Sequence, residues 1–124
     1  MADNREYVTH PEELGTINIS EDVVAAIAAG AAVEVEGVSG LVYGTNTNVH
    51  EMLSKKNISK GIKIDIGEDS VAIDVFIMVR FGCPIAEIAR SVQDAVSAAV
   101  ENMTELKVSC VNVHVGGVSF DKAE

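Results

Sequence analysis

Tryptophan is missing from this chain, and three Phe and two Tyr are its only aromatic rings in 124 residues. A core without large rings must gain its burial from many small branched contacts. Val, Ile and Ala dominate the apolar 48% of the sequence, enough for one packed domain and too much for a disordered chain. Cysteine occurs only at Cys83 and Cys110, too few for the disulfide framework of a small secreted domain. Basic residues are also scarce, 9 against 19 acidic, for a formal net charge of −10. A phosphate-binding surface needs clustered Lys and Arg to release counterions. The one basic cluster here, Lys55-Lys56 with Lys60 and Lys63, reads as a solvated loop, so nucleic acid is not an expected partner. The same acidity disfavours adsorption to anionic lipid. The longest apolar run, Val23 to Val33, is mostly Ala and falls short of the roughly 20 residues a spanning helix needs. Met1 to Glu13 is polar and acidic, without the apolar segment of a signal peptide. Together these absences predict a reduced, cytoplasmic protein without direct membrane insertion.

What is present is patterned. From Pro84 onward, Ile85, Ile88, Val92, Val96, Ala99 and Met103 fall at steps of three or four, the spacing of one helical face. Arg90, Asp94, Ser97 and Glu101 occupy the opposite side, so the helix is written to cover a sheet. Pro84 suits its start, where no backbone donor is needed. Ahead of it, Ile62, Ile64 and Ile66 alternate with Lys63 and Asp65, and Val71, Ile73, Val75, Ile77 and Val79 share one face of a second strand. Gly67 to Ser70 supplies the turn of this hairpin. After the helix, Leu106 and Val108 set one alternation, and Val111, Val113 and Val115 resume it out of phase. A β-bulge near Ser109-Cys110 would return all five to the core side.

An earlier helix is expected from Glu21 to Glu34 or Val35, with Ser20 as its N-cap and Glu21 and Asp22 at the positive end of its dipole. Apolar residues run almost all the way round it. Such a helix is either sandwiched within the monomer or offers a small-residue surface to a partner. The second reading assigns partner contact, including self-association, to Ala25, Ala29 and Ala32. Phe76 and Met78, apolar on the outer face of their strand, join them as candidate contacts. Residues 1–14 read as a flexible N-terminal tail, residues 15–120 as a single domain, and residues 45–60 as a mobile loop inside it, preceded by a short strand over Val38 to Tyr43.

Chemistry-bearing motifs are hard to find. His10, His50 and His114 are scattered, and no His or Cys pair has metal-ligand spacing. Gly37-Val38-Ser39-Gly40 resembles a truncated nucleophile elbow, but Leu41 stands where the last glycine belongs. No glycine-rich loop carries the lysine of a phosphate cradle. Asp65 and Asp74 are expected to face each other across the hairpin, where two carboxylates alone define no acid–base chemistry. Cys83 and Cys110 read as buried thiols. The sequence therefore offers no catalytic, cofactor-binding or metal-binding residues, and the expectation is that the protein is not an enzyme. An enzyme would need His114, Asn112 and Asp74 to converge in a cleft.

The order of these pieces resembles the alkaline-shock protein family, also called the cell-envelope stress response family. The phrases that carry the likeness begin with Gly15-Thr16-Ile17-Asn18-Ile19-Ser20, Val24-Ala25-Ala26-Ile27-Ala28-Ala29 and Val35-Glu36-Gly37-Val38-Ser39-Gly40-Leu41. They continue with Lys60-Gly61-Ile62-Lys63-Ile64, Val79-Arg80-Phe81-Gly82, Val92-Gln93, Val100-Glu101-Asn102-Met103-Thr104 and Val111-Asn112-Val113-His114-Val115. The resemblance implies a bacterial, non-enzymatic protein of envelope homeostasis. It also implies a protein partner, in some members a small membrane anchor that would hold the protein peripherally, and in others homo-oligomeric assembly. No catalytic residues come with it.

The expected fold is α+β, two helices packed on a mostly antiparallel sheet of three to four strands. The expected function is a scaffold or adaptor in envelope stress acting through protein contacts. The alternative is a regulatory protein that binds a lipid or a partner in acyl metabolism. It would hold its ligand in an apolar cavity between the first helix and the sheet, lined by Ile27, Val75 and Ile77.

Overall fold

The strictly alternating strand Ser70–Arg80 is the axis of the fold, and its inward residues Val71, Ile73, Val75, Ile77 and Val79 are at most 1% exposed. The computed structural model describes residues 7–42, 58–59, 61–67 and 70–120. In chain order the elements are β1 (Tyr7–Glu12), β2 (Gly15–Ser20), α1 (Glu21–Val33), β3 (Val38–Leu41), β4 (Ile58–Ser59), β5 (Ile62–Ile66), β6 (Ser70–Arg80), α2 (Ile85–Thr104) and β7 (Lys107–Ser119). The architecture is α+β, with both helices on the buried face of the sheet formed by β3 to β7. The expected loop over 45–60 lies outside the described residues except for Ile58–Ser59, which form β4.

β6 has strands on both edges. One edge is shared end to end: β5 pairs with its first half, Ile62↔Val75 to Ile66↔Val71, and β3 with its second, Val38↔Val79 to Leu41↔Ile77. The junction is Phe76. Its amide donates to the Gly61 carbonyl and its carbonyl accepts from the Val42 amide, each at 2.9 Å. Gly61 has φ +82°, and a Cβ there would sit 3.0 Å from both Leu41 Cβ and the Val42 carbonyl oxygen. Only glycine lets the two strand ends approach this closely.

The other edge of β6 pairs along its full length with β7, in parallel. Parallel neighbours cannot be joined by a tight turn, so α2 crosses back over the sheet between them. Its buried stripe is Ile88, Val92, Val96 and Val100, in the helical period that the sequence predicts, but Ile85 and Met103, expected on this face, are exposed at the two ends, and Ala99 is half-exposed beside it. The register shifts by one residue between Val108↔Val71 and Cys110↔Ala72, leaving Ser109 unpaired where the bulge is expected. That shift turns Val111 and Val113 onto the core. Val115 differs from expectation: it lies opposite Ile77 yet is 36% exposed. β7 is the rim strand, and among the described residues nothing beyond it closes over that side chain.

Tyr7–Glu12, expected within a flexible tail, instead forms a hairpin with β2 in the register Tyr7↔Ser20 to Glu12↔Gly15. Thr9 Oγ1 donates to Asn18 Oδ1 across it at 2.9 Å. Pro11 is compatible with this because β1 is an edge strand that needs no second set of donors. Ser20 then caps α1, its hydroxyl accepting from the Val23 amide at 3.2 Å. After α1, Gly37 takes φ +100°, and a Cβ there would meet Ile88 Cδ1 at 2.6 Å. This contact places the end of α1 against the start of α2, so the two helices run antiparallel.

Candidate interaction surfaces

Ala25, Ala29 and Ala32 are not on a surface. They are 4%, 9% and 0% exposed and belong to the core, which corrects the expectation that they present a contact face. Their small side chains let α1 lie close to the sheet and to α2, the sandwiched alternative for an all-round apolar helix. The exposed side of α1 is instead Val23, Ala26 and Gly30, with Ile27 and Ala31 half-exposed beside it.

That side forms one wall of an open groove of about 610 Å³. Ala26, Ile27, Gly30 and Ala31 of α1 line it together with Glu34 and Val35 just beyond, and Ala95, Ala99 and Met103 of α2 form the facing wall. The walls are predominantly apolar, and Met103 is 69% exposed at one end. The sequence reading assigned Ala99 and Met103 to the core-facing side of α2 and Ile27 to a cavity against the sheet, and it did not bring them together as a groove, because apolar side chains surround α1 and its period carries no direction.

Phe76 and Met78 do lie on the outer face of the sheet, where both are half-buried. The Phe76 ring stacks on His114 with centroids 4.5 Å apart and planes 16° from parallel. Met78 packs over Gly117, its Cε 3.2 Å from where a Cβ would stand. Beside the stack, Asn112 Nδ2 donates to Asp74 Oδ1 at 2.9 Å, and His114 Nε2 lies 3.4 Å from the same oxygen. Asp74, Asn112 and His114 thus converge, but on an open strand face and not in a cleft. His114 keeps 48% of its side chain exposed. The arrangement orients the imidazole flat over Phe76.

Asp65 does not face Asp74 as expected. The register sets Asp74 opposite Lys63, and Asp65 opposite Ala72. Cys110 is exposed beside Asn112, which corrects its expected burial, while Cys83 is half-buried against the core. Cys110 pairs near the start of β6 and Cys83 follows its end, so the two thiols do not meet.

A third cluster joins the N-terminal hairpin to the turn after α2. His10 Nδ1 lies 3.3 Å from Glu12 Oε2, and His10 Nε2 lies 3.5 Å from Glu105 Oε1. These three side chains are metal-ligand types within reach of one another. A metal ion takes one nitrogen of an imidazole, whereas here the carboxylates approach opposite sides of the ring. As arranged, His10 bridges the two acids.

The chain matches the alkaline-shock protein 23 family, described as having a cell envelope-related function, over residues 9–120. It belongs to that family. Among its relatives, the uncharacterized protein YqhY of Bacillus subtilis (strain 168) is 39% identical over 108 residues, which cover 87% of this chain and 80% of that one. The uncharacterized protein Spy1535 of Streptococcus pyogenes serotype M6 is 32% identical over 112 residues, 90% of this chain and 84% of that one. Among solved structures, MamM CTD M250L aligns with a TM-score of 0.49 at 18% identity, over 77% of this chain and 95% of that one. So loose a likeness adds nothing to the functional reading.

Proposed function

We propose that this protein serves the envelope-related role of its family as a non-catalytic adaptor, presenting the α1–α2 groove to another protein. The observation that carries this reading is the groove itself: predominantly apolar and open, with Glu34 the one ionisable side chain among the residues that line it. Apolar grooves between helices are where ligands and partner helices dock. No helix among the described residues is long and apolar enough to cross a membrane. A peripheral position at the membrane would therefore come through the partner. The lipid-binding alternative required Ile27, Val75 and Ile77 to line one hollow. Val75 and Ile77 are fully buried, and Ile27 lines the groove instead.

Affinity capture from the native host tests the proposal, comparing the parent chain with Gly30→Leu and with His114→Ala. A Cβ at Gly30 meets nothing within 4 Å, so leucine there fills the groove without disturbing the core. A protein captured by the parent and His114→Ala, and lost with Gly30→Leu, supports the reading. Identical capture by all three overturns it.

A further inference from the structure

We propose that the occupant of the groove is an amphipathic α-helix of a partner protein, apolar on one face and flanked by Lys and Arg. This rests on the adaptor reading above and names the chemistry of its partner.

The shape comes first. Ala26 and Gly30 lie one turn apart on α1, and Ala95, Ala99 and Met103 follow at four-residue steps on α2, so small residues line much of a trough between antiparallel helices. A third helix fits such a trough at ordinary interhelical distance. An extended segment fits poorly. The backbone of both walls is committed to its own helices, so a strand laid there would bury amides and carbonyls without partners. A helix arrives with its hydrogen bonds already made.

Charge then selects among helices. α1 and its cap carry Glu21, Asp22 and Glu34 with no basic residue. Glu34 lines the groove itself. A second copy of this chain would set one net charge of −10 against another, and an anionic membrane would be repelled likewise. A helix with basic flanks gains both apolar burial and electrostatic steering.

The probe is a fluorescein-labelled amphipathic peptide of about 18 residues, leucine on one face and lysine elsewhere. Its counterpart carries glutamate for every lysine. Binding to the full chain is followed by anisotropy, and the contact is mapped by amide chemical shifts. The lysine peptide should shift Gly30, Ala99 and Met103, weaken as salt is raised, and bind at least about tenfold tighter than the glutamate peptide. Gly30→Leu, and Ala26→Leu as a second variant on the same wall, should each weaken it by about tenfold or more with the remaining spectrum unchanged. Equal binding of the two peptides, or shifts mapping away from the groove, overturns the helix assignment. So does co-sedimentation of the chain, without peptide, with phosphatidylglycerol vesicles, if Gly30→Leu abolishes it. None of these outcomes alters the host-capture result, so the adaptor reading stands or falls separately.

Discussion

The carboxylate of Glu101, near the end of α2, accepts a hydrogen bond from the backbone amide of Val108 at 3.0 Å. Two turns earlier on the same helix, Gln93 Nε2 donates to the Val111 carbonyl, also at 3.0 Å. Among the described residues β7 pairs with β6 alone, so its outer edge is a place where a foreign strand could add. The two α2 side chains take up backbone groups at the start of this rim. Glu101→Ala should lower stability by about 0.5–1.5 kcal/mol, the usual net worth of such a bond. It should also speed hydrogen exchange at the Val108 amide. Urea unfolding and native-state exchange together check this; unchanged protection at Val108 would refute it.

Among the described residues, Thr104 is the one buried polar side chain, 6% exposed. Its hydroxyl donates to the Val100 carbonyl at 2.6 Å and accepts from the Leu106 amide at 3.1 Å. Thr104→Val keeps the shape and leaves that amide without a partner. The expected loss is about 1–3 kcal/mol, read as a lowered midpoint in thermal or urea unfolding. Thr104→Ser, which keeps the hydroxyl, should recover part of it.

Two glycines should respond in opposite directions to the same change. Gly37→Ala forces a Cβ into Ile88 at a positive φ, which predicts a destabilised protein with α2 displaced at its first turn. Gly30→Ala enters open space in mid-helix and should stabilise by about 0.5–1 kcal/mol. Calorimetry on the pair decides the matter.

Ile73 is fully buried at the centre of β6, whereas Phe81 is 67% exposed and stacks only on the equally exposed Phe120, centroids 4.8 Å apart. Ile73→Ala should cost about 2–5 kcal/mol. Phe81→Ala should cost less than about 1.5 kcal/mol, the upper range for an aromatic pair beyond its burial. A larger effect at Phe81 than at Ile73 would contradict this placement of the core.

The sheet's centre and its covering helix were readable because their periods point one way. In β6 each second residue is branched and apolar, and in α2 the polar side is clearly separate. Even the Ser109 bulge was legible, as a phase slip in the valines of β7. α1 was not legible in the same sense: its limits were, but with apolar residues on every side nothing told Ala25 from Ala26. Burial there is decided by where α2 and the sheet lie, which is tertiary information. β1 was hidden by Pro11 and by charges that an exposed hairpin tolerates. The fate of Asp65, Asp74 and Cys110 depended on strand register, which a one-residue offset changes completely.

Both flanks of the stretch between Val42 and Gly61 are tied to the single residue Phe76, one through its carbonyl and the other through its amide. Val42 and Gly61 are therefore pinned side by side at a separation that one residue's backbone sets.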